Sequence, residues 1–125
     1  MRICLSKEAE DELLRIRRVD ADIGESLEAC IRMLRREANE LEGVDGFSIR
    51  RVIGLFRRGI RVYRVKYERY IPGLRILFFS IPRKDCIYVT GVHARASLGV
   101  GREYDFSRAA FARAQRYWGM RNHLC

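Results

Sequence analysis

The apolar residues of this chain change their spacing twice, and those two changes restrict the folds open to it. Between Ala9 and Leu41 they recur every three or four positions: Ala9, Leu13 and Ile16, then Ile23, Leu27, Cys30, Ile31, Leu34, Ala38 and Leu41. That repeat marks one face of an α-helix. From Phe47 to Ala94 the texture turns to β-branched and aromatic residues, broken at Pro72 with Gly73 and again at Pro82 to Asp85. Those breaks are turn signals between strands. After Gly99 and Gly101 a helical stripe returns at Phe106, Ala110, Ala114 and Tyr117.

The pattern predicts a short strand over 2–5, then a helix over about 7–18 opened by Ser6, with Glu8 and Glu10 in its first turn. The stretch from Val19 to Asp22 interrupts it. A second helix follows to about Leu41, stopped by Gly43, so the two form an antiparallel hairpin. Residues 47–56 read as an irregular strand or loop. Three strands follow, Ile60 to Tyr70, Leu74 to Ile81 and Cys86 to Ala94, joined by short turns as an antiparallel meander. A last helix is capped by Asp105 or Ser107 and runs to about Trp118. The order β-α-α-β-β-β-α is that of an α+β fold: a helical hairpin and a C-terminal helix packed on a small, mainly antiparallel sheet. We expect the helices on one face and the other face open. At 125 residues the chain has the size of a single domain spanning 1–125.

Charge divides along the same line. Residues 1–45 carry a net charge of −4 and residues 46–125 a net charge of +13. Of the 25 basic residues 22 are arginine, a planar and permanently charged fork that grips phosphate bidentately. An arginine surplus with few acidic neighbours is the footprint of a surface that meets nucleic acid. No apolar run approaches the roughly 20 residues of a membrane span. The acidic turn after Leu5 lacks a signal-peptide core, so a cytoplasmic protein is expected. The cysteines at 4, 30, 86 and 125 form no C-x-x-C pair, so buried free thiols are expected, with no metal and no cofactor.

Strand alternation places Arg64 and Lys66 on one side of their strand, with Tyr63, Val65 and Tyr67 on the other. Arg75 begins the next strand, and Val92, His93, Ala94 and Arg95 close the third. Four cations and an imidazole then share one surface, which a phosphate backbone would neutralise. Tyr104 follows on the next loop, placed to stack on a base. His93 is a candidate general acid or base, provided no bulge intervenes between it and Arg95. Glu68 and Glu103 are weaker base candidates. Tyr117 and Trp118 read as core.

The runs Tyr63 to Tyr67, Leu74 to Phe78 and Val92 to Arg95, followed by Tyr104, resemble the RelE/ParE toxin superfamily of type II toxin–antitoxin pairs, in its RelE-like branch. The resemblance implies an endoribonuclease that cleaves mRNA, held in the ribosomal A site, through Arg64, Lys66, Arg75, Arg95 and Tyr104. It also implies a cognate acidic antitoxin as partner, which would set the oligomeric state. Attack by a ribose 2′-hydroxyl would need Arg75 and Arg95 to clamp the phosphorane, with Arg64 and Lys66 on flanking phosphates. The ParE branch offers an alternative, inhibition of DNA gyrase by protein binding, and a catalytically inactive nucleic-acid-binding relative is a third. Relative to the family pattern, residues 43–59 are an extra segment.

Overall fold

The computed structural model describes residues 2–34, 48–66, 71, 73–94 and 103–125, with the backbone alone for 103–107. Ser6 opens the first helix as the sequence predicts: its hydroxyl oxygen accepts the Ala9 N–H at 3.0 Å. Strand β1 (Arg2–Leu5) leads into it, and helix α1 runs Lys7–Val19. Asp20 then accepts from the N–H groups of Asp22 and Ile23, so one residue ends α1 and starts α2 (Ala21–Met33). Such a cap satisfies donors that a helix leaves free at its start. Ala38 and Leu41 lie outside the described residues.

The segment expected to be an irregular strand or loop resolves into strand β2 (Ser48–Arg51) and one helical turn, α3 (Ile53–Phe56). The meander follows as β3 (Tyr63–Lys66), β4 (Arg75–Ile81) and β5 (Cys86–His93). Helix α4 spans Glu103–Gly119, and a short 3₁₀ turn at Arg121–His123 follows it. The sheet order is β1-β5-β4-β3-β2, with β1 parallel to β5 and every other pair antiparallel. This is the expected α+β class, a helical hairpin and a C-terminal helix on a mainly antiparallel sheet. Among the described residues no helix is long and apolar enough to cross a membrane.

The helices do not share one face. Ala9, Ile16, Leu27, Cys30 and Ile31 of the hairpin pack on Val65, Ile76, Phe78, Ile87, Val89 and Val92. On the opposite face Ala110 and Ala114 of α4, with Val52 and Leu55, pack on Leu77, Phe79, Ile81, Cys86 and Tyr88. The runs Ile76 to Phe79 and Cys86 to Val89 are apolar on both sides of the pleat, and a strand of that kind loses free energy unless both its faces are covered. Tyr117 and Trp118 complete this second layer, Trp118 meeting Phe79 edge-on at 5.4 Å.

The cysteines also differ from expectation. Cys30 is a buried free thiol, pushed up to about 11 by burial. Cys4 and Cys125 form a disulfide, and the free thiol of Cys86 lies beside them. The parallel pairing of β1 with β5 sets Arg2 opposite Cys86 and Cys4 opposite Tyr88, so Cys4 and Cys86 share a face two residues apart. Sequence spacing carries no trace of that pairing.

Candidate nucleic-acid interface

Register decides which cations meet. In β2 and β3 Arg50 pairs with Arg64 and Ser48 with Lys66, while in β3 and β4 Arg64 pairs with Leu77. Arg75 pairs with His93 across β4 and β5. Because cross-strand partners point to the same side, Arg50, Arg64, Lys66, Arg75 and His93 all belong to the face that also carries α4. They gather at one end of it. Arg50 is exposed, Arg64, Lys66 and Arg75 are half-buried, and His93 is 2 % exposed.

His93 reaches this face through a bulge. Leu77 pairs with Gly91 but Phe78 pairs with Val89, so Thr90 is an extra residue in β5. Ahead of it Cys86 and Tyr88 face α4; beyond it Gly91 and His93 do, while Val92 and Ala94 join the hairpin layer. A bulge reverses the alternation of everything downstream. Without it, His93 would lie under the helical hairpin. The hydrogen bonds that the bulge breaks are made good locally: the Thr90 carbonyl accepts the Ser6 hydroxyl at 3.2 Å and Arg113 Nη1 at 3.0 Å. Glu12 accepts the Val92 N–H at 3.2 Å and Arg113 Nη1 at 2.8 Å. Strand β1 pairs with β5 only as far as Val89, so these side chains take over the edge where the ladder stops.

The cations act on one another. Burial, and then the charge of Arg75, lower the pKa of Arg64 from its ordinary value. The Arg64 Nε is buried with no hydrogen-bond partner among the described residues. Leaving a buried donor unmade costs about 1–3 kcal/mol, so an acceptor brought by a ligand would be favoured there. Arg75 turns one Nη to the Leu74 carbonyl at 2.6 Å, which anchors its guanidinium at the strand start.

No protein-family model, curated protein or solved structure matches the chain. The chemistry of the face therefore rests on its own residues.

Of the six residues singled out from the sequence, Arg64, Lys66, Arg75 and His93 come together. Arg95 lies outside the described residues, as does Glu68. Tyr104 and Glu103 stand in the first turn of α4. The helix lays Tyr117 against Tyr88 and Arg113 against Thr90, so its N-terminal half lies toward the His93 end of β5. Arg50 was missed. The alternation Ser48, Ile49, Arg50 was its signal, hidden because four residues make a weak strand pattern.

A second basic surface occupies the edge beyond β3. The guanidinium groups of Arg51 and Arg61 stand 5.2 Å and 5.1 Å from the Phe56 ring centre, and Tyr63 meets the same ring edge-on. The hairpin presents the opposite sign, with a shallow groove along α2 lined by Asp22, Glu25, Glu28 and Arg32.

Proposed function

We propose that the chain is a RelE-like endoribonuclease, the toxin of a type II toxin–antitoxin pair, acting on mRNA in the cytoplasm. The observation that carries this reading is the convergence of Arg64, Lys66 and Arg75 on one end of one sheet face, with Arg64 electrostatically coupled to Arg75. In this reading Arg64 and Arg75 grip the scissile phosphate. As the ribose 2′-oxygen gives up its proton to water and bonds to phosphorus, the bond to the 5′-oxygen begins to break and the phosphate gains negative charge; fixed guanidinium donors stabilise that state more than the ground state. Lys66 holds a flanking phosphate and is the group best suited to exchange a proton with the leaving 5′-oxygen. His93 is too enclosed to reach the sugar, so it positions Arg75 from the neighbouring strand. Arg50 extends the track of charge by one strand.

A site built on cations suits a substrate already held in an attack geometry by a larger machine such as the ribosome. An acidic antitoxin segment laid over the same face would neutralise it and block substrate. The test compares wild type with Arg64→Ala and Arg75→Ala on free RNA and on translating ribosomes, with circular dichroism as the folding control. Each variant is expected to cut about 10²–10³-fold more slowly. Cleavage unchanged in both folded variants overturns the site. Absence of any RNA cleavage, combined with inhibition of gyrase supercoiling, would replace the reading with the ParE-like one.

A further inference from the structure

Three of the four cysteines meet in space, although 82 residues separate Cys4 from Cys86 and 39 separate Cys86 from Cys125. The Cys86 sulfur lies 3.6 Å from that of Cys4 and 2.8 Å from that of Cys125, and all three sulfurs fall within 4.8 Å of one another. They come from β1, from the first residue of β5, and from the segment that follows the 3₁₀ turn. We propose that in its reduced state this cluster is a binding site for one thiophilic divalent cation of the zinc class, held by Cys4, Cys86 and Cys125.

Geometry favours an ion over simple exchange between thiol and disulfide. Attack along the bond axis on Cys125 would put Cys86 about 4.8 Å from the Cys4 sulfur, given a bond of about 2.05 Å. It lies at 3.6 Å instead, beside the bond, so the sulfurs form a triangle. Thiolates around a tetrahedral zinc, with bonds of about 2.3 Å, stand about 3.8 Å apart. The Cys86–Cys4 spacing already matches, and Cys125 must part from Cys4 for the ion to enter.

Charge fits as well. Three thiolates and a divalent ion leave one net negative charge. Arg2, opposite Cys86 in the strand pairing, and Lys84, two residues before it, are the cations that offset this charge. Both cations also hold the neighbouring chain, Lys84 Nζ donating to the Leu124 carbonyl at 2.5 Å and Arg2 Nη2 to the Cys125 carbonyl at 3.5 Å. Cys86 is buried and Cys125 exposed, so the protein closes one side of the ion and leaves a fourth position toward water.

The steps balance. A dithiol reductant, of the kind that keeps cytosolic thiols reduced, transfers two electrons and two protons to the Cys4–Cys125 bond and is itself oxidised to a disulfide. The three thiols then bind the cation and release three protons. In oxidising surroundings the disulfide occupies the same place, so metal and disulfide are mutually exclusive.

The experiment reduces the full chain with a phosphine without oxygen, removes the reductant, and titrates Co²⁺ and then Zn²⁺. We expect one equivalent of Co²⁺ with the intense near-ultraviolet absorption of sulfur-to-cobalt charge transfer, displaced by Zn²⁺. Cys86→Ser, which leaves the disulfide pair intact, should weaken binding about a hundredfold, and Cys30→Ser should leave it unchanged. A reduced, folded protein that binds no Co²⁺ overturns the proposal. So does Cys86→Ser binding like wild type, or Cys30→Ser losing the ion. A reduced chain whose circular dichroism collapses and is not restored by Zn²⁺ overturns it too.

Discussion

Replacing Gly24 by alanine sets helix propensity against packing, and the structure decides the sign. Gly24 is buried in α2 where the two hairpin helices approach. A Cβ built there would lie 2.2 Å from Arg17 Cγ, 2.9 Å from Arg17 Cα and 3.0 Å from Arg17 Cβ. The Cγ can swing away by a change of rotamer. The Cα is backbone, and moving it to an ordinary contact opens the hairpin by about half an ångström, which forfeits about a quarter of the dispersion well along the shared face. Overpacking of this kind costs about 1–3 kcal/mol, against a gain of about 1 kcal/mol from replacing glycine in a helix. The exposed Arg17–Glu28 ion pair at 2.7 Å adds only a few tenths if disturbed. The net expectation is destabilisation of up to about 2 kcal/mol, a drop in Tm of up to roughly 8 °C. Gly54→Ala is the control, because nothing lies within 4 Å of its built Cβ. It should gain about 0.4–1 kcal/mol. Urea midpoints at constant m-value measure both. Should Gly24→Ala be as stable as Gly54→Ala, the close approach of the helices is wrong.

The remaining predictions concern charge. Burial alone would raise Glu8, but the hydrogen bond from Tyr117 and the charges of Arg113 and Arg116 outweigh it and hold the carboxyl below its ordinary 4.5. A lowered folded pKa gives stability that is present above pH about 4.5 and lost as pH falls through the folded value. Acid titration of Glu8→Gln should accordingly show a shallower loss of stability below pH 4.5, and an unchanged acid slope would remove Glu8 from the account. For the basic face, Arg64→Ala and Arg75→Ala should each flatten the dependence of log Kd for single-stranded RNA on log salt by about 0.7. A slope equal to wild type in both would show that neither meets a phosphate.

The hairpin was legible because its signals are local. Ser6 and Asp20 sit where the 3–4 spacing starts and breaks, and both act as caps. Alternation likewise put Arg64 and Lys66 on one side, since that rule needs only two residues. Arg50 was less legible because β2 gains its place from pairing with β3, not from its own four residues. The expectation of one bare sheet face failed for a related reason. A continuous apolar strand announces two buried faces, but the small stripe of α4 does not announce which face it will cover.

From sequence alone came the α+β class, the helical hairpin, the meander and the identity of the cations, all products of forces acting within about four residues of chain. Tertiary structure alone decided three further things. It set Arg75 beside His93 through register, turned His93 to that side through the extra residue Thr90, and gathered Cys4, Cys86 and Cys125 through the parallel seam of β1 and β5. The physical reason is the two-residue period of a strand. A single bulge inverts every side chain beyond it, and this one is held by Ser6 and Arg113, partners 84 and 23 residues away.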